Sequence, residues 1–182
     1  MNTNQHNHTL EKELLPHIDA IYNFAYHLTG NEHDASDLVQ ETYIKALRYI
    51  KSYESGTSGR SWLFRITKTL FINQYNKQKR QPKPIKEEES GEFLLNQLEF
   101  SENTSSDKFQ ISDHVHSALS ALTPEYRMIL LLCYVEGFSY NELCAILDLP
   151  MGTVKTRLSR AKKKFANYYS QYEADELSLE VA

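Results

Sequence analysis

SYNELCAILDLPMGTVKTRLSRAKKKFANY, Ser139–Tyr168, reads as two helices joined by a tight turn, the second with a bare basic face. Ser139 and Glu142 stand in the S-x-x-E spacing of a capping box, so the first helix is predicted to start at Ser139. Tyr140, Leu143, Ile146 and Leu147 recur with helical period and are expected to face a core. Pro150 and Gly152 punctuate the chain, and a second helix is predicted to run through Phe165. There Val154, Leu158, Ala161 and Phe165 form one apolar stripe at i, i+4, i+7, i+11. Thr156, Ser159, Arg160 and Lys163 project roughly opposite it, flanked by Lys155, Arg157, Lys162 and Lys164. Met151–Tyr168 holds six Lys/Arg and no acid. A basic face alone fits a solvated amphipathic helix. A capped helix and turn in front of it fit a helix-turn-helix laid in a DNA major groove.

The formal net charge of −4 argues against a nucleic-acid protein, but the charge distribution argues for one. Between Ser55 and Lys86 lie eight Lys/Arg and no acid, whereas Gln81–Ser112 carries seven acids against three bases. Two basic segments are thus separated by an acidic one. No apolar run approaches the ~18 residues of a membrane span, so no membrane insertion is expected. The polar N-terminus has no signal-peptide core. Cys133 and Cys144 form no C-x-x-C pair and read as small core residues in a reducing, cytoplasmic setting.

Outward from the opening stretch, helical periodicity predicts an all-α chain: two small helical domains joined by a flexible acidic linker. A helix is predicted over Glu11–Thr29, with Leu14, Ile18, Ile21, Tyr22, Ala25 and Leu28 on one face and Gly30 closing it. A second runs about Glu32–Ile50, with Ala35, Leu38, Val39, Ala46, Leu47 and Ile50 inward. After the loop Glu54–Arg60, a third covers Ser61–Arg80, stopped by Gln81-Pro82-Lys83-Pro84. Helices over Ile111–Leu122 and Pro124–Glu136, with Thr123 as N-cap and Gly137 after the end, precede the opening motif. The resulting division is a disordered tail 1–10, a domain 11–80, a linker 81–110, a domain 111–170 and a tail 171–182.

The third helix places Asn73, Asn76, Lys77 and Arg80 at i, i+3, i+4, i+7. Tyr49, Tyr53, Trp62 and Phe64 bracket a loop with Ser55, Gly56, Thr57, Ser58 and Gly59. Aromatics beside an acid-free basic surface suit single-stranded nucleic acid, since bases stack while phosphates are neutralised. The same residues also fit a Trp/Phe core seam under a hydrated loop, with Trp62 in the core. Asp37, Gln40 and Glu41 make an acid-and-amide patch on the second helix, either solvated or docking a basic partner. With His33 alone beside the carboxylates, no metal site is indicated, and neither a catalytic constellation nor a cofactor motif is found.

DASDLVQET (Asp34–Thr42), SWLFRITKTLFINQYNKQKR (Ser61–Arg80), TPEYRMILLLCYVEGFSYNEL and PMGTVKTRLSRAKKK together resemble the extracytoplasmic-function (ECF) subfamily of bacterial RNA polymerase sigma factors. The resemblance covers roughly Leu14–Arg80 and Ile111–Tyr169. It implies a non-enzymatic, promoter-specific initiation factor that binds core RNA polymerase (clamp of the largest subunit, flap of the second) and is held by an anti-sigma factor. It places Asp37, Gln40, Glu41, Tyr43 and Leu47 on the polymerase. Ser55, Gly56, Thr57, Ser58 and Arg60, with Asn73, Asn76, Lys77 and Arg80, fall on the melted −10 strand. Lys155, Thr156, Ser159 and Arg160 read the −35 duplex, with Arg157 and Lys163 on phosphates. A linker of about 27 residues extends to ~90 Å, enough for two sites ~70 Å apart. A stand-alone helix-turn-helix regulator would leave the first domain without a role, and a nuclease or recombinase would need the catalytic constellation that is absent.

Overall fold

The computed structural model describes residues 8–54, 57–80 and 113–180, with side chains of the last segment described for 114–172. Ser55, Gly56 and the linker 81–110 lie outside the described residues. Every regular element among those described is helical.

A π-turn Leu10–Leu14 and a 3-10 turn Leu15–His17 lead into α1 (Ile18–Thr29). The predicted continuous helix from Glu11 is therefore broken, and Pro16 explains it, because it has no N–H to continue the ladder. The break shifts the register, so that Ile18, expected inward, is 43% exposed, and Phe24 takes the buried place beside Ile21, Ala25 and Leu28. His8–Leu10, assigned to a disordered tail, are helical, and Thr9 is buried. Gly30 ends α1 at φ 81°, a left-handed geometry that favours glycine, and its N–H donates to Tyr26 O.

Asn31 opens α2 (Glu32–Arg48): its Oδ1 accepts from Asp34 N–H at 2.8 Å, and its Nδ2 donates to Asp34 Oδ2. A 3-10 turn, Ile50–Ser52, follows, and α3 runs Gly59–Arg80. The helix thus starts two residues before the predicted Ser61. Ser58 caps it, its Oγ accepting from Ser61 N–H and donating to Ser61 Oγ. A Cβ on Gly59 would stand 2.6 Å from Glu13 O, so only glycine lets this turn approach the N-terminal segment. Leu14, Ile21, Leu28, Leu38 and Leu63 are fully buried around the Phe24–Phe64 ring pair, 5.0 Å apart. Each such side chain contributes about 1.5–3 kcal/mol. Thr42 and Thr67 are buried where α2 meets α3, and each hydroxyl donates to the carbonyl four residues back.

In the second half, α4 (Asp113–Ser120) and α5 (Pro124–Leu130, continuing as the π-turn Leu131–Val135) pack on α7 (Met151–Glu180), with α6 (Tyr140–Leu147) between turns. Thr123 stands at the N-cap of α5, but its side chain makes no capping bond; Pro124 supplies the start instead. Val154, Leu158 and Ala161 are buried as the stripe predicted, and Phe165 is half-buried. Residues 171–180, set apart as a tail, continue α7. Tyr140, expected in the core, is 42% exposed at the first residue of α6, whereas Leu143, Ile146 and Leu147 are buried. Cys133 and Cys144 are half-buried free thiols packed against the core, and burial raises the Cys133 pKa.

The two helical domains also pack against each other. Helix α3 packs on α6 and α1 meets α5, so that one apolar cluster runs through both.

Candidate nucleic-acid interface

The helix-turn-helix is built by local chemistry. Ser139 Oγ accepts from Glu142 N–H, and Glu142 Oε2 accepts from Ser139 N–H at 2.9 Å and Ser139 Oγ at 2.7 Å. These bonds hold the Glu142 carboxyl below its ordinary pKa. Asp148 ends α6 in the left-handed region (φ 57°, ψ 51°), and both Asp148 and Leu149 N–H groups donate to Cys144 O. Pro150 O accepts from Val154 N–H, so α7 begins immediately after Pro150. Gly152 therefore lies within the first turn of α7 rather than in the bend, with open space around it.

With Val154, Leu158 and Ala161 fixed beneath, Lys155, Thr156, Ser159, Arg160 and Lys163 are exposed and Arg157 is half-buried. Thr156 Oγ1 donates to Gly152 O at 2.8 Å. Among the described residues none of these cations is in an ion pair. The helix thus presents an uncompensated positive face.

Asn73, Asn76, Lys77 and Arg80 are all exposed on the C-terminal half of α3, which brings them together as the spacing predicted. Of the loop preceding α3, Thr57 and Ser58 are exposed, and both are engaged locally: Thr57 Oγ1 donates to Glu54 O, and Ser58 is the helix cap. Trp62 is half-buried with its ring 5.0 Å from that of Tyr53, which favours the core-seam reading of these aromatics. Tyr53 is itself buried, its hydroxyl donating to Glu13 and Thr57 O. Arg60 does not join the loop. Its guanidinium turns toward the second half, 2.6 Å from Glu136 Oε2.

On α2, Asp37, Gln40, Glu41 and Leu47 are exposed. Leu47, expected inward as well as on the docking face, is 47% exposed and is not part of the core. Tyr43 is half-buried, and its hydroxyl donates to Leu14 O at 3.0 Å; burial, with Asp19 nearby, pushes its pKa to about 12. Its hydroxyl braces α2 against the N-terminal segment. Ile44, 57% exposed, lies on the same helix and was not singled out from the sequence. Its position four residues after Gln40 and three before Leu47 was the available signal. Glu41 accepts from Gln74 Nε2 at 3.1 Å, so this face adjoins that of α3.

Among the described residues no group of three or more His, Cys, Asp or Glu gathers to hold a metal, and no helix is long and apolar enough to cross a membrane.

Two family models match, Sigma-70 region 2 over residues 15–81 and Sigma-70 region 4 over 112–165. The chain is 32% identical to the ECF RNA polymerase sigma factor SigE of Mycolicibacterium smegmatis, covering 87% of this chain and 61% of that protein's length. It is 32% identical to EcfG of Rhodopseudomonas palustris (87% and 83% covered) and 30% identical to SigW of Bacillus subtilis (80% of each). Among solved structures, the sigma factor RpoE of Bartonella quintana, in complex with the anti-sigma factor NepR, superposes with a TM-score of 0.67 at 28% identity, covering 88% of this chain and 96% of that one. CnrH, in complex with the cytosolic domain of CnrY, shares the fold at 22% identity and a TM-score of 0.61, over 96% and 91%. Two polar, acid-free helix faces on an all-α frame thus coincide with both sigma regions in order, and the chain belongs to the ECF RNA polymerase sigma factors.

Proposed function

We propose that the chain is a dissociable, non-catalytic specificity subunit that directs core RNA polymerase to a small set of promoters and helps to open them in the cytoplasm. The observation that carries this reading is the pair of exposed, acid-free faces, Lys155–Lys163 on α7 and Asn73–Arg80 on α3, within matches to regions 4 and 2. Residues 111–170 take the −35 element as duplex: Lys155, Thr156, Ser159 and Arg160 reach base edges, while Arg157 and Lys163 neutralise phosphates. Residues 11–80 take the −10 element as a melted non-template strand, through the loop Ser55–Ser58 and through Asn73, Asn76, Lys77 and Arg80. The exposed Gln40, Ile44 and Leu47, edged by Asp37 and Glu41, form the clamp-docking face, because an apolar centre with a polar rim is what a protein interface buries. The second domain meets the flap. The anti-sigma partners of the B. quintana and CnrH structures support an equivalent antagonist here.

Core polymerase supplemented with the purified chain is expected to yield discrete, promoter-dependent transcripts, and Ile44→Glu with Leu47→Glu to abolish co-purification with core. A chain that forms no holoenzyme, or transcripts indifferent to promoter sequence, would overturn the proposal.

A further inference from the structure

Three cationic side chains cross between the two halves, and each ends on a carbonyl at the C-terminal end of a helix in the other half. Arg60 Nη2 donates to Glu136 O at 2.8 Å, past the π-turn that ends α5; Lys68 Nζ reaches Leu147 O, the last residue of α6, at 3.5 Å. Arg127 Nη1 donates to Leu28 O near the end of α1, while its other nitrogens hold Leu119 O and Ser120 O. Helix C-termini leave carbonyls unpaired and carry the negative end of the dipole, so each contact is favourable and polar. The Arg60 contact is the most developed. Its Nη2 lies 2.6 Å from Glu136 Oε2, and its Cζ stands 4.3 Å from the Phe138 ring and 5.3 Å from the Phe64 ring. The two rings meet edge-on at 5.0 Å. The Glu136 side chain is 7% exposed and that of Arg60 30%.

Arg60 stands in the first turn of α3, the helix whose far end carries Asn73–Arg80, and Glu136 gives its guanidinium an anionic partner of the kind a DNA phosphate would be. We propose that Arg60 and Glu136 form an intramolecular latch that keeps the chain closed, so that nucleic acid must displace Glu136 before α3 is fully available. The use of the latch, though not its existence, rests on the promoter-binding reading above. Closure reduces apparent affinity for a single strand by the fraction of chains that are open.

The full chain is tested by small-angle scattering and by anisotropy with a mixed-sequence single strand of about 20 nucleotides. Glu136→Gln, which keeps shape and removes charge, is expected to enlarge the radius of gyration and tighten strand binding by roughly tenfold. Arg60→Glu should enlarge the chain without tightening binding, and Arg60→Glu with Glu136→Arg should make it compact again even where either single variant folds poorly. Opening with no strand binding in any variant would uphold the latch and sink the promoter-binding reading. A Glu136→Gln chain as compact as the parent, or a double swap that fails to reclose, would overturn the latch.

Discussion

Helices α3 and α7 share a sign of charge and a lack of acids over the faces proposed to read DNA, yet the fold employs them differently. On α7 the apolar stripe is buried along one side and the cations are free on the other. On α3 the C-terminal half is free, while in the N-terminal half Arg60 and Lys68 reach across to the other domain. The difference teaches that a helix's charge says which ligands it suits, while its non-local neighbours decide when it is free to take them. Under the proposed roles, α7 is a reader ready as folded and α3 a conditional one.

The largest effects lie in the core beneath each helix. Leu158→Ala under α7 and Leu63→Ala under α3 should each cost about 2–5 kcal/mol, since both side chains are buried and their removal leaves cavities. The chain's single tryptophan, Trp62, lies in the first half and reports unfolding there. Because the halves pack together, Leu158→Ala is expected to lower the urea midpoint seen by Trp62 fluorescence as well as that seen by circular dichroism. A Trp62 transition unmoved by Leu158→Ala would mean that α3 and its half unfold without reference to α7, and the conditional character of α3 would lose its physical basis.

A second test uses the seam's titration. His27 of α1 and His116 of α4 face each other across the halves with ring centroids 6.1 Å apart, and Tyr26 lies against both. Burial, with His116 as a lesser cause, lowers the His27 pKa from 6.5 to about 4. Its Nδ1 is buried with no hydrogen-bond partner among the described residues. The folded state thus favours neutral imidazole. The stability this contributes is present above pH 6.5 and is lost as pH falls toward 4, by roughly 2 kcal/mol at pH 4.5 after discounting for the ring's partial exposure. Denaturant titrations from pH 7 to 4.5 should therefore fall less steeply for His27→Phe than for the parent. Parallel pH profiles would show that His27 is already charged in the folded chain.

What the sequence made legible follows the same division. The capping box, the stripe Val154–Leu158–Ala161 and the exposed cations above it depend on residues within a few positions of each other, and each stands as read. The polar face Asn73–Arg80 was legible for the same reason. Ile18 was misplaced because Pro16 resets the helix register before it, a local cue overlooked beneath an otherwise regular period. Tyr43 and Arg60 are a different matter. Their hydrogen-bond partners are Leu14 O, 29 residues away, and Glu136, 76 residues away, and no spacing rule connects them. Ile44 belongs to neither the inward set nor the docking set read from the sequence, and it is 57% exposed where Leu38 and Thr42 on the same helix are buried.

On α7 itself, the two classes of cation should separate. Arg160→Ala is expected to lose about 1–3 kcal/mol of discrimination at one base pair of the −35 duplex and little at the others. Measured against a panel of single-base variants, a uniform loss instead would move Arg160 from the base-reading set to the phosphate set.

The smallest effect compares the two helices most directly. Lys163 and Lys77 are both exposed lysines outside any ion pair among the described residues, one on the helix assigned to duplex and one on the helix assigned to a melted strand. Each should release condensed counterions when it meets a phosphate, but the two strands hold those ions to different degrees. Removing one contact therefore lowers the slope of log K against log salt by ~0.9 on duplex and ~0.7 on single strand. In the holoenzyme, Lys163→Ala should flatten the slope only for templates that present the −35 duplex, and Lys77→Ala only for templates with an exposed −10 strand. Base preference should be unchanged in both cases, because a lysine on a phosphate positions without reading. If Lys77→Ala flattens the slope on an intact duplex, α3 is touching DNA before it opens. The helix would then be as unconditional a reader as α7, and the contrast between them would reduce to the occupied Arg60 alone.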